Sequence, residues 1–198
     1  MEIIGICGRK RHGKDTVGGI AHKLGGYTPI AFADPLKRIA MDIYNLSYDQ
    51  CYGSEVDKET IDPRWGVSPR FILQRIGTEM GREIHTETWV RYCLKTIEAA
   101  ANGGEPLVHS PKYRAFIPAT PRWCNLDRWV ITDCRFPNEA DAVRRAGGGV
   151  IKVVRPSLQQ EVDLHASETS IDEIEPDYLI LNDGTLQDLE AKVREILG

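Results

Sequence analysis

A glycine-rich stretch near the start of the chain combines residue types that bind phosphate. It reads Gly8-Arg9-Lys10-Arg11-His12-Gly13-Lys14-Asp15-Thr16 and lies between an apolar run at 3–7 and a segment with helical periodicity at 16–24. Glycine permits the tight turn that points backbone N–H groups at an anion, and the following helix adds its positive end. The spacing therefore predicts a phosphate-binding loop in which Lys14 reaches the β- and γ-phosphates of a nucleotide.

One residue of this loop departs from the usual pattern. The position after the lysine commonly holds Ser or Thr, whose hydroxyl contacts Mg²⁺, but here it is Asp15. A carboxylate can bind Mg²⁺ directly or through water. Lys10 and Arg11 add two positive charges to the loop, and this suits a site where two phosphorylated ligands meet.

A second acidic residue follows a buried strand later in the chain. The apolar run at 129–132 ends on Asp133, and Cys134-Arg135-Phe136-Pro137-Asn138-Glu139 comes directly after it. Enzymes with a phosphate-binding loop place the residue that holds Mg²⁺, or its water shell, at the carboxyl end of such a strand. Asp133 is therefore the second candidate for the metal.

Strand and helix patterns alternate along the chain and position these residues. Strands are predicted at 3–7, 27–32, 129–133, 150–154 and 177–181, with helices at 16–24, 34–46, 68–84, 86–101, 137–147 and from 185 onward. In the helix that begins near 68, the spacing of Ile72, Ile76, Met80 and Ile84 predicts one buried face. This alternation implies a mostly parallel five-stranded sheet covered on both faces, an α/β/α arrangement.

The remaining segments and the composition limit the classes of protein. Residues 47–67 are interpreted as a mobile connection, and the proline-rich residues 102–128 as a lid or a flexible insertion. The 198 residues fit one domain, and a net charge of −4 gives no general attraction to a nucleic acid polymer. The five cysteines have no Cys-x-x-Cys pair and indicate reduced thiols in a cytoplasmic protein. No apolar run is long enough to span a membrane, and the first predicted strand begins so close to Met1 that no signal peptide is expected.

A polar cluster and a missing motif exclude further classes. Asp163, His165, Ser167 and Glu168 lack a nucleophile motif, so caps and surface contacts are favoured over a protease-like set. A GTPase would need a guanine-reading Asn-Lys-x-Asp stretch, and the sequence has none.

Several blocks of the sequence resemble the bacteriophage deoxynucleoside monophosphate kinases. They are the loop at 8–16, Ala33-Asp34-Pro35-Leu36-Lys37, the segment at 73–79 with Trp89, the segment at 132–139, Val153-Val154-Arg155-Pro156 and Leu181-Asn182-Asp183-Gly184-Thr185. The resemblance implies one domain over 1–198 with the P-loop fold of nucleoside monophosphate kinases. Within it, residues 34–101 would form a helical part that binds the substrate.

The resemblance also implies the reaction and a role for each candidate residue. ATP, with Mg²⁺, would donate its γ-phosphoryl group to a deoxynucleoside 5′-monophosphate in nucleotide metabolism. The residues that would contact ATP or the metal are Gly8, Arg11, Gly13, Lys14, Asp15, Thr16, Asp133, Asn182 and Gly184. Those that would contact the acceptor are Lys10, Lys37, Arg70, Gln74, Thr78, Trp89, Asp133, Arg135 and Glu139. Lys10, Lys14, Asp133 and Arg135 would be the catalytic residues among them.

Some alternatives stay open at this point. Trp89 fits base stacking and core packing equally well, and Glu139 fits either substrate recognition or a helix-start acid. The loop sequence is also similar to animal phosphomevalonate kinase, and a non-catalytic ATP-binding module is a third reading. The family resemblance further suggests a homodimer in the cytoplasm, which would be the host cytoplasm if a phage encodes the chain.

Overall fold

A parallel sheet of five strands forms the centre of the protein, as the sequence predicts. The computed structural model describes residues 1–158 and 169–198. The strand order is β2-β5-β1-β6-β7, and each neighbouring pair is parallel. The bounds are β1 Glu2–Cys7, β2 Thr28–Ile30, β5 Arg128–Cys134, β6 Gly149–Val154 and β7 Tyr178–Leu181. Because β1 is the middle strand, the loop that follows it starts at the centre of the end of the sheet where the carboxyl ends of the parallel strands lie.

Helices cover the sheet on both faces. Alternate residues of β1 point to opposite sides, so Ile3 and Cys7 belong to one apolar cluster, whereas Ile4 and Ile6 belong to the other. Helices α1 (Lys14–Gly25) and α8 (Leu186–Leu197) pack into the cluster of Ile4 and Ile6. Helices α2 (Asp34–Tyr44), α6 (Thr88–Ala101) and α7 (Pro137–Arg145) pack into the other cluster. The predicted α/β/α architecture is confirmed.

The predicted mobile connection contains two short helices that the sequence interpretation missed. They are α3 (Tyr48–Tyr52) and α4 (Glu55–Glu59). A capping box starts each one, in which Ser47 pairs with Gln50 and Ser54 pairs with Asp57. The short Ser-x-x-Gln and Ser-x-x-Asp signals were present in the sequence, but the mixed charge of the segment obscured them.

The prediction of a buried stripe through residue 84 is wrong. Helix α5 spans Pro69–Arg75 and continues as a π-helix at Ile76–Arg82. A π-helix has a wider turn than an α-helix, so spacing by four residues no longer keeps side chains on one face. Ile72 and Ile76 are buried, whereas Met80 is 51% exposed and Ile84 is 76% exposed.

A small antiparallel hairpin lies in the segment that was predicted to be a lid or flexible insertion. Its strands are β3 (Leu107–Ser110) and β4 (Ala115–Pro118). The role of this segment as a lid stays a prediction. A 3₁₀-helix at Ser170–Glu173 precedes β7.

Two further predictions meet the limits of the described residues. The polar cluster of Asp163, His165, Ser167 and Glu168 lies outside them. Within the described ranges, no helix combines the length and the apolar character that a membrane crossing requires.

Candidate functional site

The loop between β1 and α1 depends on glycine at two positions. A Cβ atom on Gly8 would lie 2.7 Å from the backbone oxygen of Val153 on β6. Gly13, directly before α1, has a backbone φ of 101°, a conformation that residues other than glycine rarely adopt. Helix α1 begins at Lys14 directly after this turn, so the loop and the positive end of the helix face the same side.

Asn182 holds the loop from the opposite end of the chain. Its Nδ2 donates to the backbone oxygen of His12 at 3.0 Å, and a Cβ on Gly13 would lie 2.6 Å from the same Nδ2. Its own backbone N–H donates to the oxygen of Val154 at 2.7 Å, which fixes it at the end of β7. That Asn182 and Gly184 border the adenine of ATP stays a prediction. What the structure adds is a contact by which Asn182 supports the loop.

A cleft of about 440 Å³ opens beside the loop and collects most of the predicted site residues. Its lining includes eight basic side chains, which are Lys10, Arg11, Lys14, Lys37, Lys58, Arg70, Arg82 and Arg135. It also includes four carboxylates, which are Asp15, Glu55, Asp133 and Glu139. Gln74, Thr78 and Trp89 complete the predicted set, whereas Gly8, Gly13, Thr16, Asn182 and Gly184 are not part of this lining. The excess of positive charge suits ligands that carry several negative charges.

Asp133 joins the strand β5 to the turn that precedes α2. Its Oδ1 accepts a hydrogen bond from the backbone N–H of Phe32 at 2.7 Å, and its Oδ2 accepts one from Ala33 at 3.0 Å. A carboxylate oxygen has two lone pairs, so these bonds leave capacity for a further ligand. Asp133 therefore has a structural task, and its predicted task at the metal stays a prediction.

Glu139 is buried at the start of α7 and fixes the backbone beside it. Its Oε2 accepts from the backbone N–H of Arg135 at 2.8 Å and of Phe136 at 3.2 Å. Its Oε1 lies 3.3 Å from the Arg82 guanidinium, which stacks 3.5 Å from the centre of the Phe136 ring. Burial, and then the charge of Asp133, raise the pKa of Glu139 to about 7. Glu139 thus orients the segment that carries Arg135.

Glu55 connects the loop to α5. Its Oε2 lies 2.5 Å from Nζ of Lys10 and 2.6 Å from Nη2 of Arg70. Arg70 also pairs with Glu59, one turn further along α4. Sequence reasoning selected both cations but not the acid between them.

Trp89 packs mainly against the π-helix. It is 7% exposed, and its Nε1 donates to the backbone oxygen of Gly77 at 2.9 Å. Its indole lies so close to Gly81 that a Cβ there would fall 2.3 Å from a ring atom. Core packing therefore accounts for most of this side chain, although Trp89 also borders the cleft.

A second, larger cavity of about 940 Å³ adjoins the cleft between α1, β2 and the β3–β4 hairpin. The two share Asp15, Ala31, Lys37, Lys58 and Thr132 at their border. Lys37 places its Nζ 4.0 Å above the Tyr52 ring, and the Tyr52 hydroxyl donates to Asp34 at 3.0 Å. Burial raises the pKa of Asp34 to about 6. The predicted acceptor lysine thus stands where the two spaces meet.

Sequence reasoning missed Arg82, Lys58 and Glu55 in the cleft. Arg82 follows Gln74 and Thr78 at a regular interval of four residues. Because residues 76–82 form a π-helix, that interval is not a reliable guide here, and Arg82 reaches the cleft through its contacts with Glu139 and Phe136. Lys58 and Glu55 belong to α4, whose capping signal was the only local sign that they hold a fixed position.

Comparisons with known proteins point to one family. A family model described as deoxynucleotide monophosphate kinase matches residues 116–193. The chain is 32% identical over 197 residues to an Acanthamoeba polyphaga mimivirus protein that is provisionally named a deoxynucleotide monophosphate kinase, and the match covers 98% of this chain and 94% of the relative. It is 38% identical over 71 residues to the deoxynucleotide monophosphate kinase of Enterobacteria phage T4, a match that covers 36% of this chain and 29% of the relative.

A solved structure is also similar along the whole chain. Dephospho-CoA kinase from Campylobacter jejuni superposes with a TM-score of 0.49 at 15% identity, covering 100% of this chain and 96% of that one. Likeness at this level adds nothing to the parallel sheet already described. The mimivirus relative matches along almost its entire length, and on that finding the chain belongs to the deoxynucleotide monophosphate kinase family.

Proposed function

We propose that this protein transfers the γ-phosphoryl group of ATP to the 5′-phosphate of a deoxynucleoside monophosphate, giving ADP and a deoxynucleoside diphosphate. The observation that carries the proposal is the meeting of Lys10, Lys14, Lys37 and Arg135 in one cleft beside the loop. These cations come from three separate parts of the chain, and a scattered arrangement would have argued against it. Family membership supports the same reaction.

The loop and the start of α1 are the proposed ATP site. Backbone N–H groups of the loop and the positive end of α1 would bind the phosphates, with Lys14 and Arg11 adding charge. Gly8 and Gly13 allow the close backbone approaches that this shape needs. Thr16, Asn182 and Gly184 are proposed to complete the nucleotide site.

The cleft between α2, α5 and the start of α7 is the proposed acceptor site. Lys10, Lys37 and Arg135 would contact the acceptor phosphate or the oxygen that bridges the β- and γ-phosphates. Arg70, Gln74 and Thr78 would line the part of the cleft that receives the nucleoside monophosphate, with Trp89 behind them. Arg82 joins this set, because it lines the cleft and is held by Glu139 and Phe136.

The acidic residues of the cleft are compatible with Mg²⁺. This ion is usually bound by one or two carboxylates together with substrate phosphates and water, not by a cage of protein ligands. In the residues that the structure describes, no group of three or more His, Cys, Asp or Glu side chains could hold a metal alone. Asp15 and Asp133 line the cleft and would be its protein ligands, directly or through water. Bound there, Mg²⁺ would neutralise charge on the transferring phosphates.

The proposed reaction requires the protein to align the two phosphorylated ligands and to neutralise the negative charge of their phosphates. An oxygen of the acceptor phosphate forms the new bond to the γ-phosphorus, and the bond from that phosphorus to the β–γ bridging oxygen breaks, so ADP leaves with the electron pair. The attacking phosphate is already an anion, and a general base is therefore not required. The basic residues of the cleft hold the two anionic ligands in line against their mutual repulsion.

A substrate panel tests this proposal. The purified protein would be incubated with ATP, Mg²⁺ and each deoxynucleoside monophosphate in turn, and with phosphomevalonate, while ADP release is measured. We expect ADP release with at least one deoxynucleotide. Lys14→Ala should lower it by at least ~100-fold, since Lys14 acts on developing phosphate charge. Lys23→Ala is the matched control, because Lys23 lies at the far end of α1 against Glu190. No transfer to any deoxynucleotide would refute the proposal.

The assembly and the compartment are proposed more coarsely. A homodimer in the cytoplasm is consistent with the family resemblance. Mononucleotides as substrates are consistent with the net charge of −4, which gives no general attraction to a nucleic acid polymer. Light scattering of the purified protein would test the dimer, and a monomeric mass would refute it.

A further inference from the structure

Glu55 occupies a position between two cations that the acceptor is expected to use. Its Oε2 contacts Nζ of Lys10 at 2.5 Å and Nη2 of Arg70 at 2.6 Å. Lys10 belongs to the loop, and Arg70 to the first turn of α5. One carboxylate oxygen therefore joins the ATP side of the cleft to the acceptor side.

The contact has the chemistry of a bound phosphate. A phosphate oxygen between a lysine and an arginine makes the same charge-assisted hydrogen bonds that the Glu55 carboxylate makes here. A dianionic phosphate carries more charge than a carboxylate and offers more acceptor oxygens. A phosphate that reached Lys10 and Arg70 would therefore be the stronger ligand.

Glu55 is also held in a way that permits exchange. Asp133 and Glu139 accept hydrogen bonds from backbone N–H groups, which fix them in place. Glu55 contacts two long side chains, and the three side chains are 30–38% exposed. Ion pairs with this exposure are weak, because water screens the charges and competes for both partners. Breaking them to admit a substrate is within the range of ordinary binding energies.

We propose that Glu55 competes with the acceptor phosphate for Lys10 and Arg70, and is displaced when the acceptor binds. This inference rests on the proposed function, because it takes the cleft to be the acceptor site. While no acceptor is present, Lys10 is paired with Glu55 and is less available to the phosphates of ATP. When the acceptor displaces Glu55, Lys10 becomes available to the phosphates, so transfer to the acceptor is favoured over transfer to water. Glu55 is thus a specificity-determining residue.

Equilibrium binding of the acceptor tests this competition without any need for turnover. The dissociation constants of the four deoxynucleoside 5′-monophosphates would be measured by calorimetry for the unmodified protein and for Glu55→Gln. We expect the variant to bind about three- to tenfold more tightly, since the competing charge is lost and such ion pairs are weak. Glu59→Gln is the matched control. Glu59 lies on the same helix and contacts Arg70, and its removal leaves the bond between Lys10 and Glu55 in place.

The outcomes are separable. Weaker or unchanged binding by Glu55→Gln would overturn the proposal, because it would mean that Glu55 only orients the cations. Equal tightening by Glu59→Gln would also overturn it, because a general charge effect would then explain both. Failure of every deoxynucleotide to bind the unmodified protein would instead refute the proposed function.

Acceptor-free hydrolysis of ATP gives an independent measurement. Glu55→Gln should hydrolyse ATP several-fold faster than the unmodified protein when no acceptor is added, and an unchanged rate would refute the role against water. Thermal unfolding of each variant verifies that it is folded. Glu55→Asp shortens the side chain by one methylene. Its rate of ATP hydrolysis should lie between those of the unmodified protein and Glu55→Gln, because it keeps the charge but contacts the two cations less closely.

Discussion

The substitution Asp133→Asn tests whether one carboxylate serves both the fold and the reaction. Asp133 accepts hydrogen bonds from the backbone N–H groups of Phe32 and Ala33 at 2.7 and 3.0 Å. In asparagine, one of the two acceptor oxygens becomes an NH₂ group, which would face an N–H donor. The sequence predicts a role for Asp133 at the metal, and these two contacts add a role in the stability of the fold.

The magnitude follows from those contacts. A hydrogen bond to a charged group contributes about 1.5–3 kcal/mol, and an unsatisfied N–H costs a similar amount when water cannot reach it. Asp133 is only partly buried, so water can replace part of the lost bond. We expect the free energy of unfolding to fall by about 2 kcal/mol and the melting temperature by about 4–8 °C. Turnover should fall by ~100-fold or more, because the proposed ligand of Mg²⁺ would also be lost.

The two effects are measured separately. Denaturant titration gives the free energy of unfolding, and the rate of ADP release is taken well below the melting temperature so that the variant is folded. Asp141→Asn is the control, since Asp141 is exposed and pairs with Arg144 on the surface, and its effect should stay within about 0.5 kcal/mol. Unchanged stability of Asp133→Asn would refute the role of the carboxylate in joining β5 to α2, and unchanged turnover would remove it from the metal site.

Further predictions concern α7, the π-helix and the first helix. Burial raises the pKa of Glu139 to about 7 from 4.5, so between these values the folded protein binds a proton that the unfolded chain has lost. Its free energy of unfolding should therefore decrease as the pH rises from 5 to 7.5, relative to that of Glu139→Gln. A difference between the two proteins that is independent of pH would contradict this. Gly81→Ala should cost about 1–3 kcal/mol, since the new Cβ would meet the Trp89 ring, whereas Gly19→Ala has open space and should stabilise α1 by about 0.5–1 kcal/mol. Denaturant titration of both glycine variants would reveal an error if Gly81→Ala were neutral.

The parts of the fold that local patterns determine were predictable from the sequence. The five strands, the loop and the order of the helices follow from apolar runs, glycines and caps that are close in the chain. Helix α8, for example, begins after Thr185, where the sequence predicts a helix, and its first turn has a capping box of Thr185 and Asp188.

The parts that depend on contacts between distant segments were not predictable. The π-helix is one example, because Trp89 binds the backbone of Gly77 only after α6 has folded back against it. The spacing of Met80 and Ile84 in the sequence does not indicate that the helix widens here and turns both side chains towards solvent. The pairing of Glu55 with Lys10 is another, since it needs a short helix to return to the loop across about 45 residues of chain. Sequence reasoning therefore selected Lys10 and Arg70 and overlooked the acid that contacts both.

The bond from Asn182 to His12 closes a contact between residues that are 170 positions apart. The ribosome must therefore release the chain past β7 before the Asn182 side chain can support the loop between β1 and α1. We expect a nascent protein that lacks β7 to contain the loop sequence but to bind ATP weakly. Retention on an immobilised nucleotide would then select molecules in which synthesis and docking of the last strand are finished.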